Sequence, residues 1–312
     1  MDFSLSLSVV FPLFVYLALG AGAHKLGYLE ESAVNSVNKF AFKFLFSLNM
    51  FYNVISARDA LGFDSVLIAV EFVSMFFLQL LLLFMLAPLL IKDKKRHSVF
   101  IQAGFRGNSI LFALPLVSSI YGQEAMGLAA VVVAILVPIY NVAAVLVLGT
   151  MSGEKINGRK TARTLVTNPI ICGAVVGLLF CFFKIDLPAM VNKPVKALCD
   201  MTTPLALVML GANLRFTSFK NDLGDLIKTM IVRLVLSPMF FVGCCMILGL
   251  GKAATTIGFA IGGVPVAVSS YSMAQQMGGD GPFAAEAVAL STVLSLFTVF
   301  IWVTVLNSLG II

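Results

Sequence analysis

Of the 312 residues, 60% are hydrophobic and only 12% charged, and the formal net charge is +6. A soluble domain carries about 25% charged residues, so the composition excludes one and points to a polytopic membrane protein. Surplus lysine and arginine in such a chain sets topology, and nucleic-acid binding is set aside.

A membrane-spanning helix needs about 20 mostly apolar residues. That rule predicts ten spans, near 5–26, 33–56, 66–91, 98–121, 125–149, 168–184, 194–214, 226–250, 253–277 and 285–309. Leu5–Leu19 followed by Ala21-Gly22-Ala23 looks like a signal peptide. The region before it holds Asp2 and no lysine or arginine, so an uncleaved first span is expected. The second and seventh spans carry Lys39, Lys43 and Asn49, and Asp200, Thr202, Thr203 and Asn213, which suit helices facing protein or water. Glu124 and Glu286 start the fifth and tenth spans, where a carboxylate suits the helix dipole. Cys172, Cys181, Cys199, Cys244 and Cys245 lie in apolar segments without ligand spacing, and His24 and His97 are far apart. Small packing residues are the simpler reading, with no metal and no cofactor.

With the N-terminus outside, the cytoplasmic connections hold twelve lysines and arginines, against five (Arg58, Lys184, Lys193, Lys196, Lys252) on the other side. The positive-inside rule then puts both termini outside. The polar stretch 151–167, a cytoplasmic connection, separates residues 1–150 from 168–312. A shift of 157 lays Pro12 on Pro169 and Gly20 on Gly177. A shift of 158 lays Ser36–Phe42 on Pro194–Asp200, Gly104 on Gly262 and Gly107 on Pro265. Five spans per half is an odd number, so the second half enters the membrane upside down. The expected fold is an all-α membrane protein of ten transmembrane helices, as two inverted five-helix repeats.

Two stretches interrupt that pattern. FRGNSILFALPL (Phe105–Leu116) and FAIGGVPVAVSS (Phe259–Ser270) place glycine and proline inside the fourth and ninth spans. The weakeners are Gly104, Gly107 and Pro115 in the first, and Gly258, Gly262, Gly263 and Pro265 in the second. In lipid every freed backbone group must find a partner, so paired breaks in two halves point to a transporter site. Asn108 lies ten residues into its span, about 15 Å deep at 1.5 Å per residue. If both helices break and cross there, two helix N-termini offer bare N–H groups and positive dipole to an anion.

The expected site is Arg106, Gly107, Asn108, Ser109, Gly263, Val264, Pro265 and Ser269. Asn108 either contacts a substrate through its amide or serves as a cap or interhelical bond. Ser109, Ser269 and Ser270 offer hydroxyls, although serine often bonds back to its own helix. Arg106 either pairs with a substrate carboxylate or snorkels to the cytoplasmic side, and the sequence leaves both open. Glu71, Gln275 and Gln276 are candidates for ion coupling, and Lys43 and Asp200 have no assigned role.

NSILFALPL at Asn108–Leu116 resembles the Asn-x6-Pro signature of the auxin efflux carrier family. That family includes plant PIN carriers and bacterial malate and malonate permeases. GVPVAVSSYSMAQQMGGD at Gly263–Asp280 is similar to its second crossing motif, and TPLALVMLGANL at Thr203–Leu214 to its seventh span. The resemblance implies a scaffold and a mobile crossover domain, with export or exchange of small organic anions by an elevator-like motion. It matches Asn108 to the family's substrate-contacting asparagine and Pro265 to its crossing proline. The plant carriers have proline where this chain has Gly107, and an apolar residue where it has Arg106. An extra cation would suit a dicarboxylate rather than an indole monocarboxylate.

The expected function is therefore secondary transport of a mono- or dicarboxylate across a bacterial inner membrane. The alternatives are a sodium-coupled symporter of the bile-acid type, or a receptor that moves nothing. Proton or sodium coupling and a homodimer stay open. No intramembrane nucleophile–base pair or aspartate-rich motif suggests an enzyme.

Overall fold

The computed structural model describes residues 3–56, 63–121, 125–151, 167–213 and 219–312, and among them the chain is helical. The helices are α1 (Phe3–Lys25), α2 (Glu31–Phe40), α3 (Phe46–Ser56), α4 (Phe63–Leu90), α5 (Lys94–Phe105), α6 (Leu114–Tyr121) and α7 (Met126–Met151). They continue as α8 (Pro169–Phe182), α9 (Ala189–Asn213), α10 (Phe219–Ile231), α11 (Ser237–Ile247), α12 (Gly251–Gly263), α13 (Ser269–Gln276) and α14 (Gly281–Ser308). Three π turns, Ala41–Leu45, Ser109–Ala113 and Val232–Leu236, join α2 to α3, lead into α6 and join α10 to α11. Arg58, Glu124, Arg215 and the connection at 152–166 lie outside the described residues.

Among the described residues, five helical stretches are long and apolar enough to cross a membrane: Ser65–Leu90, Gly127–Met151, Ala189–Ala212, Leu223–Ile247 and Gly281–Ser308. Leu67, Val70, Phe77, Leu81, Met85 and Leu89 stay exposed along α4, as a lipid-facing surface requires. The predicted fourth and ninth spans are each two helices with a break, and neither half is long enough to cross alone. Helix starts follow local chemistry: the side chains of Asp93, Asn168 and Asp280 accept from the N–H groups of Lys95, Ile170 and Phe283.

The helices divide into two groups. α1, α2–α3, α8 and α9 pack together, α1 on α9 and α3 on α8. Small residues allow both approaches: a Cβ on Gly20 would lie 1.9 Å from the Val208 carbonyl oxygen, and one on Gly173 would lie 2.2 Å from that of Ser47. The second group holds α4, α7, α10–α11, α14 and the interrupted helices α5–α6 and α12–α13. At one end of it Arg96 pairs with Asp225 at 3.1 Å and Asp280 at 3.3 Å, tying α5 to α10 and α14.

The two groups also touch through polar side chains along α2. Asn38 donates to the Tyr271 hydroxyl at 3.2 Å and to Gln275 Oε1 at 3.0 Å, and Gln275 donates to Asn35 Oδ1 at 3.2 Å. Val34 packs there with Met209 and Ala212, so this end lies beside the C-terminal turn of α9.

Candidate functional site

Where α5 stops at Phe105 and α12 at Gly263, the chain runs extended, and the two stretches meet. Gly107 and Val266 form an antiparallel bridge. The Asn108 N–H donates to the Pro265 carbonyl, and the Ala267 N–H to the Arg106 carbonyl, both at 2.9 Å. The Val266 N–H is taken by Ser291 Oγ on α14 at 3.0 Å. Backbone groups that the breaks release thus find partners across the crossing, as an apolar medium demands.

Beyond the bridge each chain turns helical again, at Ser109 and at Ser269. The first N–H groups of a helix have no carbonyl one turn earlier, which leaves Ser109 and Ser269 as donors at the two starts. The next two N–H groups of the second start are taken, Ser270 by the Ala267 carbonyl at 2.9 Å and Tyr271 by that of Val268 at 3.2 Å. A cavity of about 510 Å³ lies in front of them, between the two helix groups. The second group contributes Arg106, Gly107, Asn108, Ser109, Asn141 and Ser269 to its wall, and the first contributes Asn49, Asn53, Asp200 and Thr203. Its rim carries the pair Lys196–Asp200, at 2.8 Å in the first half of α9. That end is opposite the Asn35–Gln275 contacts.

The expected site residues separate into two layers. Arg106, Gly107, Asn108, Ser109 and Ser269 line the cavity. Gly263, Val264 and Pro265 do not: they are buried behind it, and Ala267 and Val268 take their place in the wall. The reason is the antiparallel register, which turns the 263–265 segment toward α10–α11 and α14. Among the described residues, the Asn108 side chain makes no cap bond and no other side-chain hydrogen bond. Arg106 is 5% exposed and does not snorkel: its guanidinium donates to Asn141 Oδ1 and, at 3.4 Å, to Ser270 Oγ. The Ser109 and Tyr140 hydroxyls are buried in the cavity wall, without a hydrogen-bond partner among the described residues.

The coupling candidates lie elsewhere. Glu71 is on α4 and does not line the cavity, and its Oε2 is buried without a hydrogen-bond partner among the described residues. Gln275 belongs to the contacts with Asn38 and Asn35, and Gln276 is exposed. Lys43 is exposed on the first π turn.

Two features escaped the sequence reading. Asn141 holds Arg106, and its own amide donates to the Val137 carbonyl at 2.9 Å. Arg233, fully buried in the third π turn, reaches the crossing from behind. Its Nε donates to the Val264 carbonyl at 2.8 Å, Nη2 to that of Ile261 at 2.8 Å, and Nη1 to that of Gly104 at 3.2 Å. A lone arginine inside an apolar span was the available signal.

No curated protein matches the chain. A family model described as membrane transport protein matches residues 5–303. Nearly the whole chain is covered, both interruptions included, and the chain belongs to the auxin efflux carrier family of membrane transport proteins.

Proposed function

We propose that the protein is a secondary transporter of small organic anions, dicarboxylates in particular, binding them at the crossing of two interrupted helices. The observation that carries this reading is the Gly107–Val266 bridge, which holds two helix starts, Asn108 and Arg106 at one cavity wall. Bare N–H groups and a guanidinium in a water-poor place stabilise a carboxylate, and a second carboxylate suits the added cation.

Ten spans in two inverted repeats fit this reading. Residues that the 157–158 shift superposes meet one another: Gln79 Nε2 donates to Ser237 Oγ at 2.8 Å, and Asn108 bonds Pro265. Contacts between equivalent residues are what a two-fold axis through the crossing produces. The α1–α9 and α3–α8 pairings are likewise equivalent under the same shift. An elevator-type motion fits the cavity's position between two helix groups joined at one end by polar contacts. With the positive-inside orientation, the cavity opens outward and the Asn35–Gln275 contacts close the cytoplasmic side.

The test is uptake of labelled malonate, and of monocarboxylates, into proteoliposomes, with and without sodium and a pH gradient. Saturable malonate uptake is expected. A binder without flux would instead be a receptor, and no binding of any carboxylate would overturn the anion reading.

A further inference from the structure

We propose that Arg233 is the positioning residue of the crossing and its second, remote cation. Each carbonyl it holds is one that an interruption left without its helical partner. The Ile261 carbonyl would accept from residue 265, which is proline and has no N–H. The Val264 carbonyl would accept from residue 268, beyond the end of α12 at Gly263. The Gly104 carbonyl would accept from Asn108, whose N–H goes to Pro265 instead. One planar guanidinium, with five donors in a fixed fork, collects all three from the C-terminal ends of both first-half helices. Two of these carbonyls end α12 and one ends α5, so the guanidinium ties the two helix ends together at their crossing.

The same contact explains Gly107. A Cβ there would lie 2.0 Å from Arg233 Nη2, so the guanidinium occupies the space a side chain would need. Gly107 itself lines the cavity, which puts the Arg233 charge one residue's thickness behind the wall. Among the described residues, neither Arg233 nor Arg106 has a carboxylate within ion-pair distance. Two guanidinium charges therefore face one cavity, one in its wall and one behind it. At about 8 Å and an effective dielectric constant near 20, a unit charge on a ligand gains roughly tenfold or more in affinity. The second charge thus favours a dianion over a monoanion of the same shape. This rests on the anion reading above.

The experiment titrates the purified full chain with malonate and with malonamate, its singly charged monoamide, and records melting temperature. Wild type should prefer malonate. Arg106→Gln should lower that preference yet leave about a tenfold part of it, since the remote charge remains; complete loss of preference would overturn the charge role. Arg233→Gln should reduce malonamate affinity about tenfold and malonate affinity about ten times more than that, whereas Arg233→Lys should keep the preference. Equal losses for both ligands in both variants would make Arg233 merely structural. Both substitutions should lower the melting temperature by about 5 °C or more through the lost carbonyl bonds, and unchanged melting would overturn the positioning role. Wild type that binds neither ligand defeats the anion reading, while the melting temperatures still judge the carbonyl clamp.

Discussion

Asn108 stands in the cavity wall with its amide uncommitted, so a substitution there separates binding from folding. Asn108→Ala should weaken dicarboxylate affinity about tenfold or more, the worth of a hydrogen bond to a charged group, at nearly unchanged melting temperature. Titration calorimetry and a thermal melt check this together; intact affinity and flux would remove Asn108 from the site. Arg106 is different because Asn141 and Ser270 already hold it. Arg106→Leu should weaken dicarboxylates more than monocarboxylates, and equal losses in a competition assay would count against pairing with a carboxylate. It should also release Asn141, whose Oδ1 accepts from that guanidinium.

At the scale of elements, close helix pairs rest on glycine where backbone meets backbone. Gly173→Val should force α8 away from α3, because a Cβ would lie 2.2 Å from the Ser47 carbonyl oxygen. Gly127 on α7 has nothing within 4 Å of its added Cβ. Gly127→Ala should therefore be neutral or stabilising by about 0.5 kcal/mol. Melting curves of the two variants in the same detergent give the comparison, and similar melting would show that α3 and α8 tolerate separation. The interruptions obey the same accounting: a helix can stop inside an apolar span only where other groups take up its carbonyls. Here the opposite strand of the bridge, Gln79 and Arg233 do so, while Ser291 Oγ accepts the released Val266 N–H.

For the whole molecule, the cavity lies between two helix groups that are also joined at the opposite end. A disulfide between cysteines placed at Asn35 and Gln275, in a background without the five native cysteines, should hold that end shut. Their present side chains are hydrogen-bonded at 3.2 Å. Malonate uptake should then fall to background and return on reduction, while binding at the cavity persists. Uptake that survives cross-linking would argue against relative motion of the groups.

The sequence by itself determined the class, the apolar helices and the two places where helices break. Those follow from local properties, a run of apolar side chains and the backbone chemistry of Gly104, Gly107, Gly262, Gly263 and Pro265. It also picked out Arg106 and Asn108, because polar groups deep in an apolar stretch are conspicuous. Only the tertiary structure decided which backbone faces the cavity. Gly263, Val264 and Pro265 turn behind it, since the register of one antiparallel bridge depends on both segments at once. Arg233 stands within Leu223–Ile247 as visibly as Arg106 in its own span, yet its role is not local. Its worth lies in carbonyls that belong to α5 and α12, residues 104, 261 and 264. Apolar patterning along a chain fixes which segments leave water, but hydrogen bonds between distant segments fix what their broken ends can hold.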